Sequence, residues 1–414
     1  MASRSRHLLL VTYHFPPSAA SGSFRLLGFS KYLPALGWKV TVVAPPSMPG
    51  EPVDPGLAAQ VPSGVEVRAV AYPTRGGKPV RVFFPYAAWL APAWPAVRDA
   101  ARNGRPDVVL TSGPPHLVHL LGLWIARRHR TPWIADFRDP WVNDGLGRPR
   151  RWIDRWFQVC ERSVYRNADR ILANAPNAMD VYRRDYPRQQ HKIRMLTNGF
   201  DPHLVMASPA PALAPGSPLR LVHAGEIYLG RDPLPLLDAM REIQQATPVG
   251  GPRLELHILG RAERGRAQME AAIRERGLTD SVVFRGQVSY QESLAAMAEA
   301  DINVLFDTPN RKFGVPAKLY EYLGAGRPVL ALAESDGDTA NILREAGLRH
   351  AIAHPLRTGE IRDALSGLIA ARGEGSPVIA DPARLARFTR ENLAGTLAGI
   401  MDEVLAEREA SRVQ

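Results

Sequence analysis

Short apolar runs alternate with longer amphipathic stretches along almost the whole chain, and that alternation leaves few folds open. His7–Tyr13, Lys39–Ala44, Val65–Ala71, Val108–Ser112, Trp133–Asp136, Arg170–Ala173 and Ile193–Leu196 read as strands. Phe24–Leu36, a stretch from about His116 to Arg130, and Arg150–Asn167 read as the helices among them. Residues 201–218 then change character, with Ser208-Pro-Ala-Pro-Ala-Leu-Ala-Pro-Gly-Ser-Pro218 at the centre, which marks a linker. A second series follows. Its strands are Leu219–Ala224, Leu254–Leu259, Val282–Arg285, Ile302–Leu305 and Pro328–Ala331, with helices at Leu234–Ala246, Ala267–Arg276, Glu292–Glu299 and Ala317–Leu323. The pattern predicts two α/β, Rossmann-like, doubly wound domains at 1–200 and 219–380, followed by one or two helices over 381–414. Ligands of such sheets lie beyond the strand C-termini, so the expected site faces a central cleft.

Composition narrows the class. The one cysteine, Cys160, allows no internal disulfide and suits a reducing, cytoplasmic setting. Leu8-Leu-Leu-Val11 is too short for a signal-peptide core, and no stretch reaches the roughly 18 apolar residues of a membrane helix. The net charge of +11 is uneven: residues 1–200 hold 28 Lys+Arg against 13 Asp+Glu, and the remainder is mildly acidic. A basic half suits nucleic acid, an anionic membrane face or phosphorylated substrates, or is simply an arginine-rich solvated surface. No nucleic-acid recognition module is evident, and nucleic acid is not an expected partner. The aromatic segment Val82–Trp94 reads either as an apolar membrane contact, peripheral on an anionic surface, or as core.

Five segments carry chemistry. A small-residue loop runs into the helix at Ser21-Gly22-Ser23, and Gly22 allows a close ligand approach. His116, in Ser112-Gly-Pro-Pro-His116, opens a helix where the dipole disfavours protonation. It reads as a sugar contact or base, or as a satisfied structural histidine. His119, one turn on, lacks a third metal ligand nearby. Asp136-Phe-Arg-Asp-Pro-Trp141 reads as hydroxyl binding or general-base chemistry at Asp136, or as a self-satisfied salt-bridge turn. In the second half, Gly225-Glu-Ile-Tyr228-Leu-Gly230-Arg231 offers an arginine able to grip a diphosphate in two places. Pro316-Ala-Lys318-Leu319-Tyr-Glu321 puts a cation in the first turn of a helix, where acid is usual, which points to an anionic ligand. Glu321, nearly a turn on, suits ribose hydroxyls. Asp336-Gly-Asp338 has the spacing of a divalent-metal clasp but lies in a polar loop.

Taken together, Tyr13-His-Phe-Pro-Pro, Ser112-Gly-Pro-Pro-His116, Asp136–Trp141, Asn198-Gly-x-Asp201, Tyr228-x-Gly230-Arg231-Asp-Pro and Pro316-x-Lys318-Leu-x-Glu321 resemble the family-4 glycosyltransferases of the GT-B fold. The similarity runs over about residues 7–345 and looks closest to the bacterial branch that builds cell-surface polysaccharides and glycolipids. The resemblance implies retaining transfer of a sugar from a nucleoside-diphosphate sugar to a saccharide or lipid-linked acceptor, with no metal or other cofactor. By the same resemblance Arg231 and Lys318 neutralise the diphosphate, Glu321 holds the ribose, and His116 touches the transferred sugar. Gly22 approaches the donor phosphate or the acceptor. Gly225, Tyr228 and Leu319 complete the donor-side set, Asp136 joins His116 as a catalytic candidate, and the terminal helix crosses back to the first domain. The chain departs from the family at Phe313, where the first of two glutamates is usual, and at Glu226, where relatives often carry arginine. Two rival readings are a nucleotide-sugar epimerase on the same fold and a catalytically silent partner subunit.

Overall fold

The computed structural model describes residues 5–48, 50–76, 78–80, 86–142, 152–202, 217–227, 230–248, 251, 253–260, 266–372 and 378–413. The chain divides into two units, Met1–Asn198 with Arg390–Gln414, and Gly199–Thr389.

The first unit is built on seven strands: β1 (Arg6–Thr12), β2 (Trp38–Ala44), β3 (Glu66–Ala69), β4 (Val108–Gly113), β5 (Trp133–Phe137), β6 (Arg170–Ala173) and β7 (Ile193–Met195). They lie in the order β3-β2-β1-β4-β5-β6-β7, all parallel, with Leu10 level with Val42 and Leu110. Strands β4, β5 and β6 are buried at every position, as expected when helices cover both faces of a parallel sheet. The strand order reverses direction between β1 and β4, so the loops after those two strands diverge and leave a crevice for side chains.

Two helices close one face. Helix α1 (Ser21–Tyr32) contributes Leu26 and Phe29, and the terminal helix, Arg390–Val413, contributes Leu393, Leu397, Met401 and Val404 to the same apolar cluster. The packing is tight: a Cβ on Gly28 would come 2.8 Å from the Arg390 Cδ. Ion pairs fasten the terminal helix to the sheet edge, Arg408 to Asp169 at 2.7 Å and Arg170 to Glu407.

The second unit holds β8 (Leu219–Ala224), β9 (Leu254–Leu259), β10 (Val282–Gly286), β11 (Ile302–Phe306), β12 (Val329–Leu332) and β13 (His350–Ala353). Their order is β10-β9-β8-β11-β12-β13, again parallel, with the reversal between β8 and β11. The chain leaves and re-enters this unit at one place, where Phe200 N–H donates to the Phe388 carbonyl at 3.0 Å. Phe200 then packs on the helix Lys318–Ala325, where a Cβ on Gly324 would lie 2.6 Å from its ring. Gly324 therefore serves close packing, while Gly326, at φ +64°, ends the helix.

Several expectations change. The block 381–414 is divided: Pro382–Ala386 stays with the second unit, and only Arg390 onward joins the first. Most of the linker, residues 203–216, lies outside the described residues. The elements over 338–372, a helix, β13 and a further helix at Thr358–Arg372, escape the sequence pattern because their apolar runs are short. Residues 82–85 lie outside the described residues, and the rest of that aromatic segment enters a helix, Leu90–Asn103, despite Pro95. Trp89 is core, donating its indole N–H to the Val70 carbonyl at 2.8 Å. Among the described residues, no helix is long and apolar enough to cross a membrane.

The terminal helix carries a stability prediction. Leu397→Ala should cost about 2–5 kcal/mol, because it opens a cavity between that helix and α1. Arg408→Ala, which loses a half-exposed ion pair, should cost less than about 1 kcal/mol. Urea unfolding of the two variants checks the ranking; equal losses would contradict it.

Candidate active site

The C-terminal edge of each sheet, at its reversal, gathers the polar residues. In the first unit the organising group is Asp136, the fourth residue of β5. It accepts from Arg25 Nε at 3.1 Å, from Arg25 Nη2 at 3.0 Å and from Ser112 Oγ at 2.7 Å. Arg25 comes from α1 and also donates to the carbonyls of Leu196, at 2.9 Å, and of Thr197. Asp136 is 0 % exposed and both its oxygens are engaged. A general base needs reach to a substrate proton, and this carboxylate has none. In the structure its ion pair joins helix, strand and exit loop, and its partner is Arg25 rather than the neighbouring Arg138.

Arg138 instead turns toward β4. Its Nε donates to the Gly113 carbonyl at 3.1 Å, and Nη2 donates to the Pro114 carbonyl. The guanidinium occupies the space where a Gly22 side chain would stand, so any Cβ there would overlap it. Glycine at 22 thus has a physical reason within the unit: it admits a buried arginine beside the start of α1.

His116 stacks on Phe137 and on Trp141, at centroid distances of 5.2 and 5.4 Å, and also bonds the Pro140 backbone. Burial, with the Arg138 cation adding to it, lowers its pKa to about 3. His119 is fully buried, bonded through Nδ1 to Thr111 Oγ1 at 2.8 Å, and burial drives its pKa down as well. The expected neutral imidazole at 116 is present, but desolvation rather than a helix dipole is the leading cause.

In the second unit the reversal between β8 and β11 brings together residues from four segments. His223, near the end of β8, sits against Phe306 with ring centroids 4.8 Å apart, and bonds the Val304 carbonyl through Nδ1 at 3.0 Å. Tyr322 donates to the same carbonyl at 3.1 Å and accepts from Ala224 N–H at 2.9 Å. Asp307, just beyond β11, accepts from Thr339 Oγ1 at 2.6 Å and Thr308 N–H at 2.7 Å, and burial raises its pKa.

The cations converge on the same place. Burial lowers the His223 pKa to about 4, with Arg231 and Lys318 both adding to the depression. Lys318 Nζ lies 2.8 Å from Glu321 Oε2, three residues along the helix, and 5.6 Å above the Tyr290 ring. The pair explains how a lysine is tolerated in a first turn. The helix begins at Lys318, one residue after the expected Ala317, which serves as its N-cap and offers no capping side chain.

Of the remaining expectations, Leu319 is buried in the core and presents no side chain to a ligand. Gly225 follows β8, with only His223 near its missing side chain, and Tyr228 lies outside the described residues. The acidic pair has other duties: Asp336 pairs with Lys312, and Asp338 accepts from Gly314 N–H at 2.8 Å while opening the helix Asp338–Ala346. Sequence reasoning missed Arg25, His223, Asp307 and Tyr322. Polar residues ending apolar runs, as in Leu221-Val-His223 and Leu305-Phe-Asp307, are the signal that could have found two of them.

The histidines of the first unit predict an acid response. The unfolded chain takes up a proton on His116 near pH 6.5, the folded chain only near 3, so stability falls as pH drops between those values. The slope from this group is at most about 1.4 kcal/mol per pH unit. His116→Phe keeps the stacking and should flatten the decline in melting temperature between pH 7 and 4.5; an unchanged decline would remove His116 as its source.

Two family models match the chain, a glycosyl transferase 4-like domain over residues 23–199 and glycosyl transferases group 1 over residues 219–370. Among solved structures it is similar to sucrose-phosphate synthase from Thermosynechococcus elongatus, at TM-score 0.72 and 17 % identity, covering 97 % of this chain and 100 % of that one. A glycosyltransferase from Rickettsia africae gives 0.71 and 12 %, covering 97 % and 99 %. Anabaena HepE in complex with UDP-glucose gives 0.66 and 16 %, covering 96 % and 99 %. Such identities carry the fold. No curated protein matches the sequence.

Proposed function

This chain belongs to the family-4-like glycosyltransferases of the GT-B fold, and on that premise we propose that its second unit holds a nucleoside-diphosphate sugar against Arg231 and Lys318. The enzyme is a nucleotide-sugar-dependent glycosyltransferase. The observation that carries the site is the docking of the helix Lys318–Ala325, with its Lys318–Glu321 pair, on β8 and β11 through Tyr322 at the reversal of the second sheet. A departing diphosphate gathers negative charge, and fixed cations in a partly dry setting stabilise it without reorganising. Arg231 can grip two oxygens at once, and Lys318 is a point charge held in position by Glu321. Glu321 is also the donor-side group suited to ribose hydroxyls.

In this reading transfer proceeds with retention and without a metal ion. Two features support metal independence: the cations are built in, and the carboxylates of Asp336 and Asp338 are committed to Lys312 and Gly314. The donor base proposed first is uracil, because HepE holds UDP and UDP-glucose. Within the first unit, His116 is the residue proposed to contact a ligand. A second reading, a silent partner subunit, is favoured by Phe313, which stands eight residues before Glu321 where relatives carry a glutamate. Such a protein would bind nucleotide without turnover.

A thermal-shift panel of UDP, ADP, GDP and UDP-glucose, run in EDTA, tests the donor site. Stabilisation by one base is expected, worth about 2.7 kcal/mol at a hundredfold excess over Kd. Silence across the panel would refute the donor reading. Lys318→Ala and Glu321→Ala should each lower kcat/KM roughly 10- to 100-fold, the worth of a charge-assisted bond, while keeping the far-UV spectrum.

The acceptor is proposed to be a saccharide, lipid-linked and presented at an anionic membrane, in cell-surface polysaccharide or glycolipid synthesis. The exposed face of the helix Trp152–Asn167 supports this: Trp156 and Val159, 38 % and 59 % exposed, stand beside Arg155, Arg162 and Arg166. This face replaces the segment 82–94 as the candidate contact. The protein should float with liposomes containing acidic lipid and stay behind with neutral ones; equal partition would remove the membrane from the account.

A further inference from the structure

His223 has a bonding capacity that the described residues leave unused. The Val304 carbonyl can only accept, so the imidazole atom facing it, Nδ1, carries the hydrogen. Tyr322 takes up the same carbonyl's second lone pair and in turn accepts from Ala224 N–H. The ring is therefore locked in one tautomer, with its edge packed on Phe306. In that tautomer Nε2 bears a lone pair and no hydrogen. It is buried, and among the described residues no hydrogen-bond partner reaches it. The residue is 2 % exposed, a setting in which an unfilled acceptor is costly unless something else fills it.

What faces Nε2 narrows the candidates. Gly225 lies beside that edge, and its absent side chain leaves room: a Cβ there would stand 3.5 Å from both Nε2 and Cε1. The charged groups that bear on the ring are Arg231 and Lys318, the residues assigned to the diphosphate. A protonated imidazole is disfavoured beside two cations and out of water, so the ring is an acceptor rather than a third cation. A neutral acceptor cannot bond a phosphate oxygen, which also only accepts. It can bond a hydroxyl.

We propose that His223 reads a hydroxyl of the bound nucleotide-sugar, accepting its hydrogen at Nε2 through the opening at Gly225. His223 thereby becomes a specificity-determining residue of the donor site, selecting a ligand that presents a hydroxyl beside its diphosphate. The ribose and the transferred sugar both offer that chemistry. The inference rests on the donor reading above.

The test separates the two sources and the two readings. His223→Asn keeps a donor toward Val304 and removes the acceptor; His223→Gln extends an amide oxygen toward the position of Nε2. Ligand-free melting temperatures confirm folding, and calorimetric titration with UDP and with UDP-glucose gives the affinities. His223→Asn should weaken binding about 5- to 10-fold, the worth of one neutral hydrogen bond, with His223→Gln recovering most of it. Loss with both ligands assigns the ribose, and loss with UDP-glucose alone assigns the sugar. The matching deoxy ligand should then bind wild type and His223→Asn equally, a result that a merely structural histidine would not give. Gly225→Ala, which sets a methyl group over Nε2, should weaken the same ligand. Affinities within twofold of wild type for His223→Asn would overturn the proposal while leaving the donor site standing. Failure of wild type to bind either ligand would instead overturn the donor reading, and this inference with it.

Discussion

The first unit depends on a single buried ion pair. Arg25 and Asp136 meet out of water, and their attraction is helped against the cost of desolvation by further bonds to Ser112, Leu196, Thr197 and Asn198. The geometry is unforgiving in a useful way. Arg25 is fixed by α1, Asp136 by β5, and the carbonyls by the chain just before it leaves the unit. Moving any of the three strands a charge. Gly22 and Arg138 are arranged around this junction, and His116 is held by the aromatic rings next to it, so the polar edge inherits its order from the pair.

The second unit reaches a comparable edge by different means. Lys318 and Glu321 hold one another on a helix, and Arg231 bears on His223 from a neighbouring loop. A parallel sheet makes this economical, because the reversal in strand order brings loop ends from β8 and β11 together without a long insertion.

Legibility followed the kind of signal each residue leaves. The strands and their alternation were readable because burial on both faces produces unbroken apolar runs. Lys318 and Glu321 were readable as a local misfit within one helix. Asp136 was legible as a residue but its partner was not, since Arg25 is 111 positions away and no local spacing reports that distance. His223 was invisible for the same reason: its meaning lies in a carbonyl of another strand and in what Gly225 lacks. Leu319 was drawn into the site by its neighbours in a motif, yet its side chain points where the apolar core needs it. The helices Leu90–Asn103 and Asp338–Ala346 were hidden, one by its prolines and one by an acidic start that looked like a loop.

The path of the chain has a consequence for synthesis. The first unit is closed by Arg390–Val413, yet the whole of the second unit is translated between Asn198 and that helix. While Gly199–Thr389 is being made, the nascent first unit has its sheet and α1 but not the side chains of Leu393, Leu397 and Met401 that cover them. A growing polypeptide of this topology carries an open apolar surface for the time taken to add about 190 residues, roughly ten seconds or more at ordinary elongation rates. The order of elements along the messenger thus sets a window of exposure to chaperones and to aggregation that the finished molecule no longer shows.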